Sequence, residues 1–150
     1  MKKSLSKTPN LSTAADFQFR AIAHPWLCDA MGHLSMRHYT AMFDDCCQHA
    51  LYALSASKNG DDELGWVAGK LTINFLTEVM AGARLLLRPK ILRIGKTSLT
   101  LSIGMRDANS DQLRAEAEFV SVLFDLKIRK SVELGGEISQ RASIFPFHSV

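Results

Sequence analysis

Several things are missing from this 150-residue sequence, and each absence narrows what the chain does. Its three cysteines, Cys28, Cys46 and Cys47, form no CxxC pair and no disulfide framework. That usage suits a reducing, intracellular compartment. No apolar run approaches the roughly 18 residues of a membrane span. After Met1-Lys2-Lys3, the stretch from Ser4 to Ala15 is polar, with Pro9 and Asn10, where a secretory signal has an apolar core. The expectation is a cytoplasmic protein with no membrane partner. GxGxxG, P-loop and GxSxG motifs are absent, which argues against dinucleotide, nucleoside-triphosphate and serine-hydrolase chemistry. The charge is only +3, and Lys2, Lys3 and Lys7 fall in the N-terminal stretch. A dedicated nucleic-acid binder normally carries a basic face, so none is expected. The apolar content of 47% and charged content of 22% are those of an ordinary globular domain.

Glycine and proline are also absent between His33 and Lys58. Nothing there interrupts a helix. Across that span Tyr39, Met42, Phe43, Cys46, Cys47, Ala50, Leu51 and Leu54 recur at the i, i+3, i+4, i+7 spacing of one helix face. Asp44, Asp45 and Gln48 fall off the stripe, and Asn59-Gly60 supplies a stop signal. A long helix with one apolar stripe requires a broad apolar partner.

The remaining segments read as strands. Phe17 to Ala23 alternates moderately, and His24-Pro25 ends it. Gly65 to Glu78 places Leu71, Ile73 and Phe75 on one face and Lys70, Thr72 and Asn74 on the other. Ala81-Gly82 is a turn. Ala83 to Ile94 follows, with Pro89 inside it, a position suited to an edge strand or a bulge. Gly95-Lys96 turns into Thr97 to Asp107, where Leu99, Leu101, Ile103 and Met105 share a face. After the turn Ala108 to Asp111, Arg114 to Arg129 changes phase near Phe119, which predicts a bulge there. Short turns mean antiparallel neighbours, so one helix lies on an antiparallel sheet in an α+β layer. Residues 1–15 read as a disordered tail, 16–130 as the domain, and 131–150 as a C-terminal tail with a short helical turn.

The chemistry-bearing residues concentrate before the helix, in His24-Pro25-Trp26-Leu27-Cys28-Asp29-Ala30-Met31-Gly32-His33. Asp29 is a candidate general base or nucleophile, and equally a turn carboxylate. A helix N-terminus beside it offers free N–H groups and a positive dipole end, which stabilise a developing oxyanion. His33 is a candidate to orient a carbonyl or serve a leaving group. His24, Asp29, His33 and His38 match no zinc spacing, so no metal is expected. Cys46 and Cys47 read as core residues, and Asp45 with His49 as a local i, i+4 pair. Arg84, Arg88, Lys90, Arg93, Lys96, Arg129 and Lys130 gather on the later strands and turns, either as a solvated face or as phosphate contacts.

The stretch Trp26 to Tyr39 resembles the hotdog-fold acyl-CoA thioesterases, the 4-hydroxybenzoyl-CoA thioesterase-like group. That family shows an Asp, two residues, Gly-His, a short polar segment and a Tyr that opens a long helix. Asp29, Gly32, His33 and Tyr39 stand at those positions. Leu27 stands where the family often has an acid, and Ser35 where it often has Asn. The resemblance implies an α+β hotdog fold, a five-stranded antiparallel sheet wrapped around one long central helix. It implies hydrolysis of an acyl-CoA thioester to free acid and CoA, with Asp29 catalytic and His33 supporting. Gly32, Leu34, Ser35, Met36 and Tyr39 would hold the substrate, with N–H groups from His33 to Met36 polarising its carbonyl, and Lys96, Arg129 and Lys130 would meet the CoA phosphates. No cofactor beyond the CoA of the substrate is implied. Partners are the acyl-CoA thioester and further copies of the chain, as a homodimer or homotetramer with sites at the subunit interface. The alternatives are a non-catalytic hotdog module that binds CoA thioesters, and an enoyl-CoA hydratase or dehydratase.

Overall fold

The computed structural model of the chain describes residues 18–55 and 63–143. In these, the apolar stripe becomes α1 (Met36–Ser55), and its buried side chains are Tyr39, Met42, Phe43, Cys46, Cys47, Ala50, Leu51 and Leu54, as the spacing predicts. Each large apolar side chain buried on that face contributes about 1.5–3 kcal/mol. The Asn59-Gly60 stop signal lies outside the described residues, as does the N-terminal stretch 1–15.

The helix needs a broad apolar surface, and the strands supply it. They are β1 (Phe19–Ile22), β2 (Leu64–Phe75), β3 (Arg84–Ile94), β4 (Ser98–Asp107), β5 (Leu113–Asp125) and the short β6 (Lys130–Ser131). The spatial order is β1-β3-β4-β5-β2, all antiparallel, with β6 paired to β5. Leu99, Leu101, Ile103 and Met105 of β4 are wholly buried, so the middle strand forms the floor of the core. Register shifts between Ala68 and Lys70, Ile91 and Arg93, and Met105 and Arg106 bend the strands. Such bulges increase local twist and let the sheet curl round α1.

Two sequence expectations change here. β5 has no phase change at Phe119: Ala115, Ala117, Phe119, Ser121 and Leu123 are all buried on one parity. The false signal came from Val120, Val122 and Phe124, apolar and half-buried on the outer face, and from an inward serine that contacts the Cys47 thiol. The bulge belongs to the facing strand, at Gly69 of β2. Pro89 sits in β3, which is internal where β1 covers it. The β1 pairing stops at Leu87, however, so the outer side of β3 beside Pro89 has no strand among the described residues. The missing N–H of proline is tolerated where no ladder requires it.

The expected short helical turn after Lys130 is present, and residues 136–143 pack on the domain. α2 (Gly136–Ser143) buries Ala142 completely in the core. Arg141 donates to the carbonyl of Leu54 at 3.3 Å, satisfying an open acceptor in the last turn of α1. Its other nitrogen pairs with Glu137.

α1 packs on β3 and β4. It covers β2 only in part: Trp66 and Ile73 pack on the core, while Leu64, Leu71 and Phe75 keep large exposed areas on the helix side of the sheet. Among the described residues the outer edge of β2 has no neighbour.

Leu101→Ala is expected to lower unfolding stability by about 2–5 kcal/mol, because the cavity it leaves sits under α1. Thr100→Ala, on the outer face, is expected to cost less than about 1 kcal/mol. Urea denaturation of both variants checks this; equal losses would contradict the placement of the core.

Candidate active site at the start of the long helix

Asp29 begins a tight turn that closes on itself. Its N–H donates to the carbonyl of His33 at 2.8 Å, and its own carbonyl accepts from Gly32 at 3.0 Å. Its Oδ1 accepts from the N–H groups of Met31 at 2.9 Å and His33 at 3.1 Å. The turn needs a left-handed residue, and Gly32 supplies it at φ +76°. The expected turn carboxylate is therefore present, but only one of its oxygens is used. Among the described residues Asp29 Oδ2 has no hydrogen-bond partner.

A second loop holds the first in place. Leu34 donates to Val79 at 2.7 Å, and Ala81 donates to Gly32 at 3.0 Å. That second loop is in turn fixed by Arg114 of β5. Its carbonyl accepts from Leu76 and Thr77 at 3.0 Å, and its guanidinium donates to the Glu78 carbonyl at 3.3 Å. The same guanidinium pairs with Asp107 at 3.2 Å. The N–H groups of Ser110 and Asn109, then Arg114, hold the Asp107 carboxyl below the usual aspartate range.

The N–H groups expected to polarise a carbonyl ran from His33 to Met36, and the structure narrows the set. Those of His33, Leu34 and Ser35 are already engaged, with Asp29, Val79 and Leu27. Met36 and Arg37, the first two residues of α1, have N–H groups with no acceptor among the described residues. They are the open donors at the positive end of the helix.

Between the loops and α1 lies a cavity of about 580 Å³, lined by Asp29, His33, Leu34, Met36, Tyr39, Phe75 and Glu78 among others. Tyr39 is buried against the edge of Phe75 at 5.1 Å. Burial pushes its phenol pKa up, against the pull of the Val79 N–H bonded to it and of Arg114. The phenol thus stays neutral at physiological pH. Gly32 and Ser35 shape the loop rather than line the cavity. Lys96, Arg129 and Lys130 are not brought here. They stand at the opposite end of the sheet, where Lys96 pairs with Glu133 at 2.8 Å and Arg129 lies over Phe124.

Phe75, Leu76, Thr77 and Glu78 were not singled out from the sequence. The signal was present: Leu76-Thr77-Glu78 breaks the alternation of β2, which ends at Phe75 rather than Glu78. The cysteines take structural roles. Cys28 donates to the His24 carbonyl, and burial pushes Cys46 up to about 12 and Cys47 up to about 11. His49 lies near the Phe19 ring, no hydrogen bond joins it to Asp45 among the described residues, and the i, i+4 pair on this turn is Gln48 with Asp44. Among the described residues no cluster of three or more His, Cys, Asp or Glu is placed to hold a metal ion.

Gly32→Ala is expected to cost about 1–2 kcal/mol through left-handed strain alone, since its β-carbon meets nothing closer than 4.0 Å. A loss under about 0.5 kcal/mol in urea denaturation would contradict this. Asp107 contributes stability above the pKa of an unfolded aspartate and loses it as pH falls through the lowered folded-state value. The stability gap between wild type and Asp107→Asn is therefore expected at neutral pH and should close in acid. A gap that stays constant with pH would contradict it.

The thioesterase-like superfamily model matches residues 23–142. None of the curated proteins matches the chain. Among solved structures, the chain is similar to a hypothetical protein from Staphylococcus aureus in complex with CoA, at 14% identity, TM-score 0.81, covering 89% of this chain and 87% of that one. It is similar to a predicted thioesterase from Bacillus stearothermophilus at 16% identity, TM-score 0.79, covering 89% and 98%. It is also similar to a 1,4-dihydroxy-2-naphthoyl-CoA thioesterase from Synechocystis at 20% identity, TM-score 0.72, covering 85% and 95%. The curled sheet around α1 is the hotdog fold, and the chain belongs to the thioesterase-like superfamily.

Proposed function

We propose that the protein hydrolyses an acyl-CoA thioester, with Asp29 as its catalytic carboxylate. The observation that carries this reading is the division of labour within Asp29, a residue of the cavity wall: Oδ1 holds the turn, while Oδ2 has no partner among the described residues. Met36, whose N–H is open, lines the same cavity.

The chemistry then runs as follows. Oδ2 takes a proton from water as its oxygen adds to the thioester carbonyl carbon. The carbonyl oxygen gains the negative charge and faces the open amides of Met36 and Arg37. The tetrahedral intermediate collapses, the carbon–sulfur bond breaks, and the CoA thiolate takes the proton held on Asp29, which restores the carboxylate. Direct attack by Oδ2 instead expels the CoA thiolate and leaves an anhydride on Asp29, which water then cleaves to the free acid and the restored carboxylate. His33 and Tyr39 line the cavity as polar groups that orient the carbonyl. No metal or redox group takes part, and CoA enters with the substrate. A relative of the same fold in complex with CoA and another that is a CoA thioesterase support this ligand class.

The working unit in this reading is a homodimer, or a pair of dimers, in the cytoplasm. β2 is 12 residues long, with an edge that no strand among the described residues covers and apolar residues exposed on its helix side. An edge of that length and composition pairs with another chain unless it is protected. Antiparallel pairing of β2 with a copy of itself turns the Arg129 and Lys130 end of one chain toward the Asp29 end of the other. Those residues, with Lys96 farther out, then serve the CoA phosphates.

An acyl-CoA panel with free-thiol detection tests the reading. Asp29→Asn keeps an oxygen to accept from Met31 and His33, so it is expected to fold normally. Its turnover is expected to fall by about 10²–10⁴-fold. Near wild-type turnover in that variant would remove Asp29 from the reaction. Thermal stabilisation by acyl-CoA without thiol release would favour a binding module, and enoyl-CoA conversion without thiol release a hydratase.

A further inference from the structure

The cavity beside Asp29 holds a second acid that the thioester chemistry leaves unused. Glu78 lines it from the loop after β2, together with Phe75, Leu76 and Thr77. The backbone of Glu78 is fixed, because its carbonyl accepts from Arg114 at 3.3 Å and the amides of Leu76 and Thr77 bond to the Arg114 carbonyl. Its side chain is different. The residue is exposed, and its carboxylate has no hydrogen-bond or ion-pair partner among the described residues. A rigid backbone thus presents a charge that nothing on the chain neutralises.

The rest of the lining does not offset it. Among the described residues the cavity is lined by two acids, Asp29 and Glu78, and by neither Lys nor Arg. The Arg114 guanidinium is committed to Asp107 and to the Glu78 carbonyl, and Arg37, next to Met36, turns to His38 at 3.1 Å. His33 is the one basic side chain in the lining, and Leu34, Met36, Phe75 and Leu76 are apolar. Apolar walls reduce the screening that water provides. The charge also reaches across to Tyr39. Burial does most to raise the phenol pKa, Val79 and Arg114 pull it down, and Glu78 pushes it up.

We infer that Glu78 sets the charge class of the acyl group: the site takes neutral or cationic acyl chains and rejects those that carry a carboxylate of their own. A carboxylate in the acyl chain enters a cavity that already holds one negative charge the reaction needs, at Asp29, and one it does not, at Glu78. Like charges at that range weaken binding, and an ammonium group in the same place is attracted by both acids. Glu78 is a specificity residue and makes or breaks no bond. The inference rests on the hydrolase reading above and narrows the substrate class of that site.

The test uses CoA esters of one chain length: hexanoyl-CoA, adipyl-CoA, which ends in a carboxylate, and 6-aminohexanoyl-CoA, which ends in an ammonium. The readout is kcat/KM relative to hexanoyl-CoA. Wild type is expected to disfavour adipyl-CoA by about 100-fold and to rank 6-aminohexanoyl-CoA well above it. Glu78→Gln keeps the backbone bonds and the side-chain size and removes the charge. It is expected to raise the adipyl to hexanoyl ratio by about tenfold and to lower the 6-aminohexanoyl to hexanoyl ratio. Glu78→Lys is expected to place adipyl-CoA ahead of 6-aminohexanoyl-CoA. Added salt should shrink the wild-type bias, whereas a packing defect would move all the esters together and ignore salt. Equal use of the esters by wild type, or an adipyl to hexanoyl ratio unchanged in Glu78→Gln, would overturn the inference. Asp29-dependent hydrolysis in those cases would leave the hydrolase reading intact. Should wild type release no thiol from any ester, the hydrolase reading fails by itself. The Tm shifts that the same esters produce in wild type and in Glu78→Gln then read the charge selection directly, with the same ranking expected and equal shifts overturning it.

Discussion

The geometry of the site depends on two hydrogen bonds to one oxygen. Asp29 Oδ1 accepts from Met31 and His33, and this fixes both the turn and the direction of the carboxylate. An aspartate with both oxygens engaged would be a structural turn residue. One with neither engaged would swing freely in water. The turn thus orients the acid, which lines the cavity, and leaves its second oxygen without a partner among the described residues. Everything around it keeps that arrangement still: Gly32 makes the bend possible, and the Val79 to Ala81 backbone holds the loop from the other side.

The rigidity traces back to β5. Arg114 ties Leu76, Thr77 and Glu78 with backbone and guanidinium together, and Asp107 steadies the guanidinium. The ion pair itself is only partly buried and contributes little to global stability. Its effect is local, because it sets the far wall of the cavity. The near wall is the first turn of α1, whose position follows from burial of its stripe against β3 and β4. The core and the site are therefore one construction, with the helix serving both.

Much of this was legible in the residues. The stripe from Tyr39 to Leu54 specified α1 and its buried face, because 3.6-residue periodicity leaves little freedom over that length. The alternation of β4 was as clear, since only its inner face is apolar. β5 misled because both its faces carry apolar residues, and alternation carries no information when both parities match. At the site, Asp29, His33, Met36 and Tyr39 could be placed together because they are close in sequence. Glu78 and Phe75 come from across the fold and no local pattern reports such proximity. Which amides are open was equally hidden, since it depends on the acceptors that Leu27 and Val79 happen to offer.

The central claim is that a thioester carbonyl sits between the free oxygen of Asp29 and the open amides of α1. The most direct measurement is a crystal structure of the Asp29→Asn variant with an unhydrolysed acyl-CoA. The account predicts the carbonyl oxygen within hydrogen-bond distance of the Met36 or Arg37 N–H, with the carbonyl carbon facing Asn at position 29. A thioester bound with its carbonyl away from both would contradict it.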